Sequence, residues 1–373
     1  MLNSHLQPIQ IKGMTISVPI IQGGMSVGIS LSGLASAVAN EGGVGVIGAA
    51  AIGMMEPDFK KNYAEANKRA LRKEIRKARK KSDGMIGVNI MMALNDFDDL
   101  WEVALEEEVD IVFVGAGLPL KSPKTIPFQK LPEYNTAFVP IVSSARAVTL
   151  IFSYWEKHYG FIPDAVVVEG PKAGGHLGFK PEQLDLPEFQ LEQLVPEVVE
   201  AVKPFEQKFG MEIPVIAAGG IYDGADIYKF IELGAKGVQM ATRFVATKEC
   251  DADIKFKEMY LQAGPEDVVI IKSPVGLPGR AVGNSFLNEV KEGKRMPYTC
   301  PWHCLKTCDY QKSPYCIAAA LMNAQKGRMQ TGFAFAGSNV HRVKEIVTVK
   351  SIFRELITEY NQVYFESPEL VSE

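Results

Sequence analysis

Eight short apolar runs punctuate this chain between residues 19 and 242, and helix-like stretches separate most of them. The runs occupy residues 19–24, 43–48, 86–91, 111–115, 138–143, 165–170, 214–220 and 237–242. Each is continuous rather than alternating, as expected of strands covered on both faces, the condition of a parallel sheet. Residues 32–40, 59–81, 97–107, 145–158, 191–209 and 225–233 carry helical patterns between them. Strands alternating with helices imply a parallel α/β sheet. Eight such strands favour closure into a (β/α)₈ (TIM) barrel over an open doubly wound sheet, and we assign residues 1–264 to that barrel. A barrel typically needs about 250 residues, so a chain of 373 leaves room for additions. Residues 265–345 are rich in Gly, Pro and Lys and hold four of the five cysteines. They are read as a lid or small substrate subdomain, and residues 346–373 as a C-terminal helix packing back on the barrel.

Composition narrows the function classes. Forty basic and 44 acidic residues leave a net charge of −4, so no global field draws the chain to nucleic acid or to a membrane surface. No apolar run approaches the roughly 20 residues of a membrane span. Residues 1–20 show no basic segment followed by an apolar core, so no signal peptide is expected and the chain is read as cytoplasmic. Five cysteines in that setting are expected to be reduced, or to hold a metal or cluster.

In a (β/α)₈ barrel the active site lies at the C-terminal ends of the strands, and the loops after strands seven and eight often grip a phosphate. Here strand seven ends on Gly219-Gly220 and strand eight on Ala241-Thr242-Arg243. Glycine lets backbone N–H groups approach phosphate oxygens, and a following helix N-terminus favours the anion. The segment from Gly219 to Gly224 fits that role. Gly43-Val44-Gly45-Val46-Ile47-Gly48 matches the G-x-G-x-x-G pattern, but it lies inside an apolar run after a helix. A dinucleotide fingerprint sits between a strand and a helix, so that reading is rejected. After the sixth strand, Glu169 to Gly178 places four glycines around His176. Histidine exchanges protons near neutral pH and is the commonest general acid or base.

These stretches together resemble the nitronate monooxygenase (2-nitropropane dioxygenase) family, which includes the FMN-dependent enoyl-acyl-carrier-protein reductase II enzymes. The resemblance lies in residues 19–25, 41–48, 87–91, 169–178, 214–224 and 234–247. Its most specific pair is Ala173-Gly174-Gly175-His176 with Ala217-Ala218-Gly219-Gly220-Ile221. It implies an FMN-binding barrel and a flavin-dependent oxidoreductase that oxidises alkyl nitronates with O₂. The second reading is an NAD(P)H-dependent enoyl-acyl-carrier-protein reductase, and the third an electron-transfer protein using FMN and a cluster. By position, Gln22, Gly23, Gly24 and Met25 would line the flavin ring, and Asn89 would meet the flavin or its ribityl chain. Gly219, Gly220, Gln239, Ala241 and Thr242 would hold the ribityl phosphate. Glu169, Gly174, Gly175, Ala218 and Met240 complete the implied cofactor-binding set, and His176 would be the catalytic acid or base. The chain departs from the family at Lys172, often Glu, and at Ala241, usually Gly. The implied partners are a small-molecule or acyl-thioester substrate, an acyl carrier protein and a second copy in a homodimer. Residues 273–281, Ser-Pro-Val-Gly-Leu-Pro-Gly-Arg-Ala, look like a lid segment of the reductase branch.

Two further features stand outside that resemblance. Cys300, Cys304, Cys308 and Cys316 fall within seventeen residues. Four thiolates so close can hold a [4Fe–4S] cluster or zinc, with His303 as an extra ligand, or can remain plain thiols. Pro301 and Pro314 argue for an irregular knuckle. The fifth, Cys250, is read as a buried small residue. Residues 60–81 carry eleven Lys or Arg and two Glu. They are read as a solvated outer helix, with a docking patch for an acidic carrier protein as the second reading. Nucleic acid is disfavoured because only Tyr63 interleaves the charges.

Overall fold

The eight runs close on themselves. The computed structural model describes residues 5–294, 298–300 and 302–367. A hairpin of β1 (Ile9–Ile11) and β2 (Met14–Ile16) comes first. The barrel strands follow: β3 (Ile20–Gln22), β4 (Val44–Gly48), β5 (Met85–Met91), β6 (Ile111–Gly115), β7 (Ala137–Val142) and β8 (Val166–Glu169). The two-residue β9 (Gly175–His176) leaves the ring, and β10 (Val215–Ala218) and β11 (Gly237–Met240) complete it. The barrel pairings are parallel, and β11 pairs with β3 to close it. Closure excludes the open sheet.

Six helices, α1 (Ser32–Asn40), α2 (Tyr63–Lys81), α3 (Phe97–Glu106), α4 (Ala145–Tyr159), α5 (Leu191–Phe209) and α6 (Gly224–Glu232), wrap the ring. The one-turn α7 (Thr242–Val245) follows β11. The expected start of α2 at residue 59 moves to Tyr63, because residues 56–62 fold as turns, with Phe59 N–H donating to Glu56 O and Lys61 N–H to Asp58 O.

Two apolar layers hold the barrel. Inside, Val44, Val46, Phe113, Val139, Val167 and Ile216 meet, with Ile9, Ile11 and Ile16 of the first hairpin in the same cluster. Outside, alternate strand residues pack against the helices. The rejected G-x-G-x-x-G pattern finds its physical reason here. A Cβ on Gly45 would lie 2.5 Å from the carbonyl carbon of Ala35 and 2.7 Å from its Cα. Gly45 lets α1 lie directly on β4.

The basic charge of α2 is largely consumed by its neighbours. Lys68 pairs with Asp99 and Glu102, Arg72 with Glu106 and Glu107, Arg76 with Glu107, and Arg79 with Asp110. Arg69 pairs with Asp58 and Glu56, and Lys73 with Glu56. Such pairs contribute little stability each, yet they leave α2 poorly suited to the docking reading.

Beyond α7 come α8 (Ile254–Gln262), the hairpin β12 (Val268–Lys272) and β13 (Pro278–Val282), α9 (Ser285–Lys291), α10 (Ile317–Gln325) and α11 (Val349–Glu366). This region has its own small core of Ala281, Phe286, Leu287, Tyr315, Ile317 and Phe333. It is stitched to the barrel by backbone: β13 pairs with β9, Gly279 opposite His176 and Arg280 opposite Gly175. Helix α11 packs on α6 and α1; the end of the expected C-terminal segment, residues 368–373, lies outside the described residues. Among the described residues no helix is long and apolar enough to cross a membrane.

Candidate active site

Barrel topology gathers the residues singled out in sequence at one end of the ring. Gln22 ends β3, Glu169 ends β8, Ala218 ends β10, and Gln239 with Met240 ends β11. Gly23, Gly24 and Met25 follow β3; Gly219 and Gly220 follow β10; Ala241 and Thr242 follow β11. Gly23 N–H donates to Met240 O at 2.8 Å, and a Cβ on Gly23 would meet Gln239 at 3.4 Å and Ala241 at 3.5 Å. Gly24 lies against Asn89 of β5 and 3.1 Å from Val46, measured from an added Cβ. Gln22 is wholly buried and spends its amide on the backbone, accepting from Val46 N–H at 3.0 Å and donating to Gly23 O at 2.5 Å. It braces the β3–β4 seam, where the ladder registers only Ile21 opposite Val44.

Gly219 and Gly220 adopt φ of 95° and 92°, left-handed values that any side chain would strain. A Cβ on Gly219 would also sit 2.9 Å from Gly170 O, and one on Gly220 2.9 Å from the Lys172 Cβ. The stem of Lys172 therefore lies on this turn. The turn is tied from outside by Asn339, whose Nδ2 donates to Gly220 O at 2.7 Å. Gly337 N–H donates to Thr242 Oγ1 at 3.1 Å. Residues 337–339 were not anticipated from sequence. The available signal was Gly337-Ser338-Asn339, a small polar turn directly after the apolar run 333–336.

His176 sits on β9, half-buried. Its Nε2 lies 2.7 Å from Ser273 Oγ, and the ring meets the Phe335 ring edge-on at 5.1 Å. Ser273 is 3% exposed and follows β12. The loop carrying the histidine is clamped from two sides. Arg280 donates to Ala173 O at 3.2 Å and to Pro171 O at 2.6 Å. A Cβ on Gly174 would lie 2.5 Å from the carbonyl carbon of Ala336. Burial lowers the His176 pKa from 6.5 to about 4, so the ring is neutral at pH 7.

Burial has the opposite effect on Glu169, raising it from 4.5 to about 7. The folded chain therefore binds a proton there that the unfolded chain has released. Its contribution to stability is full below the unfolded value of 4.5 and is lost as pH rises through about 7. In flavin-free protein, Glu169→Gln should flatten the fall in urea midpoint between pH ~5 and ~8. A slope identical to that of the parent chain would show that Glu169 is not the titrating group.

The four clustered cysteines line one small cavity, together with Tyr298 and His303. Burial, then the neighbouring Cys316, Cys300 and Cys308, pushes the Cys304 thiol up to about 12. Cys250 is buried, as expected, and its thiol donates to Ile29 O. Pro301 lies outside the described residues.

The sequence profile of the nitronate monooxygenase family matches residues 7–108 and 96–359. A carboxyl-CoA dehydrogenase acting on a 5-hydroxy-7a-methyl-1-oxo-octahydroindene, from Mycobacterium tuberculosis, is 30% identical over 280 residues, spanning 75% of this chain and 67% of that one. A probable nitronate monooxygenase of Staphylococcus aureus is 28% identical over 309 residues, covering 75% of this chain and 79% of that one. Among solved structures, FabK from Thermotoga maritima superposes with a TM-score of 0.72 at 30% identity, covering 94% of this chain and 95% of that one.

Proposed function

Because the chain belongs to the nitronate monooxygenase family, we propose that it oxidises alkyl nitronates with O₂ on a bound FMN. The observation that carries this reading is the pairing of two features at one barrel end. One is the left-handed Gly219-Gly220 rim beside Ala241-Thr242; the other is a neutral histidine held by a buried serine. Two successive left-handed glycines let backbone N–H groups approach a phosphate without steric cost, which supports this rim as the phosphate site. Gly23, Gly24 and Met25 with Asn89 would flank the ring, and Glu169 with Gly174, Gly175, Ala218 and Met240 would complete the wall.

FMN supplies the electron-accepting ring; the chain supplies position and proton handling. We assign Ser273 Oγ–H as the donor to His176 Nε2 across 2.7 Å, with Val275 N–H 3.4 Å from the same oxygen. In that tautomer Nδ1 carries the ring proton and Nε2 keeps its lone pair. A carbon acid that displaces Ser273 meets this lone pair, so Nε2 is the atom that takes an α-proton from a neutral nitroalkane. Ser273 holds the place until then and keeps the ring aligned.

A second reading, reduction of an enoyl thioester by NAD(P)H, is favoured by one observation. A cleft of about 700 Å³ opens beside Ser273, with Lys272, Lys291 and Lys312 among apolar Val269, Ile271 and Leu287. Lysines over an apolar floor suit a phosphate-bearing acyl thioester such as a carrier-protein arm, and FabK lies in the same structural group. Steady-state assays decide between the two. Nitronate-dependent O₂ uptake without NAD(P)H supports the proposal. NAD(P)H oxidation that requires an enoyl thioester, with no response to nitronate, replaces it by the second reading.

A further inference from the structure

The cysteine knuckle has no part in the flavin chemistry above, yet it is built onto the catalytic end of the barrel. Residues 92–95 follow directly on β5, which carries Asn89. Asn95 N–H donates to Cys304 O at 3.1 Å, Lys306 N–H to Ala93 O at 2.9 Å, and Lys306 Nζ to Met92 O at 2.8 Å. Leu94 and Leu305 form an antiparallel bridge. The backbone at His303 is held at φ 44°, a left-handed value unusual outside glycine, and its carbonyl accepts from Asn95 Nδ2. Within this frame Cys300, Cys304, Cys308 and Cys316 surround one cavity, all as free thiols. Tyr298 lines the same cavity.

We propose that these four cysteines bind an iron–sulfur cluster. Plain thiols leave the left-handed His303 backbone unexplained, since such strain persists where a site over-determines it. Four thiolates around one cavity supply the four ligands of a [4Fe–4S] cluster, one for each iron.

The test uses the full chain, purified anaerobically and reconstituted with ferrous iron and sulfide. The expected result is about four iron and about four acid-labile sulfide per chain, with broad visible absorption beneath the flavin bands that bleaches with dithionite. Cys304→Ser and Cys316→Ser should each lose most of the iron while keeping the parent flavin content, and Cys250→Ser should lose none. Should the serine variants not fold, alkylation of the reconstituted parent chain gives the same answer: four cysteines protected until the iron is stripped. Iron without sulfide, one zinc bound in its place, or four cysteines alkylated at full iron loading would each overturn the proposal. Flavin content is measured separately, so failure here leaves the flavin reading standing.

Discussion

Replacing His176 by alanine is expected to lower turnover of a neutral nitroalkane, whose α-proton must be removed, by about 10²–10⁴-fold, the usual contribution of a positioned acid or base, while bound flavin stays at the parent level. The reason lies in the environment rather than in the residue type. Burial keeps the ring neutral down to about pH 4, and Ser273 Oγ at 2.7 Å fixes which nitrogen is available. A raised KM with unchanged kcat would show that His176 only binds substrate. Ser273→Ala separates positioning from catalysis. It removes the placeholder and leaves the base, so kcat should fall by about tenfold, the low side of such effects. The acid limb of the pH profile should stay low, because burial rather than the serine lowers the ring's pKa. A limb moved to the ordinary histidine range would mean that the serine, not burial, tunes the ring. Stability carries a matching signature. A buried neutral histidine contributes stability above its unfolded value of 6.5 that is lost as pH falls toward about 4.

Gly45→Ala is expected to produce the largest loss of stability of any single methyl addition considered. The new carbon would lie 2.5 and 2.7 Å from Ala35 main-chain atoms, and a backbone on a buried helix cannot rotate aside as a side chain can. Overpacking ordinarily costs 1–3 kcal/mol; contact with backbone puts this case at about 3 kcal/mol or more. At roughly 2–4 °C per kcal/mol for chains of some 150–250 residues, the melting temperature should fall by about 6 °C or more. Gly115→Ala is the control, since its added carbon meets only the Ile141 side chain, at 3.5 Å. Equal melting temperatures for the two variants would contradict the α1–β4 contact.

Legibility in the sequence followed the physics of each feature. The barrel strands were readable because a strand covered on both faces must be apolar without interruption, and β3 through β8, β10 and β11 each match such a run to within one residue at their start. The rims were readable because left-handed turns at Gly219 and Gly220 demand glycine. Long-range partnerships left no local trace. Ser273 reaches His176 across 97 residues, and Asn339 reaches Gly220 across 119. Only folding β13 onto β9 brings the first pair together. The basic stretch of α2 gave a true composition but not its partners, because Glu102, Glu106 and Glu107 belong to the neighbouring helix and its end.

The central claim is that the rims after β10 and β11 grip the phosphate of FMN through main-chain donors. Its most direct test is the cofactor content of folded, purified protein after heat release and chromatography. The account predicts yellow protein that yields FMN at about one per chain, and a Gly220→Val variant that folds but binds it at least tenfold more weakly, since φ 92° excludes a branched side chain. Well-folded protein that comes off colourless and takes up no added FMN would contradict it.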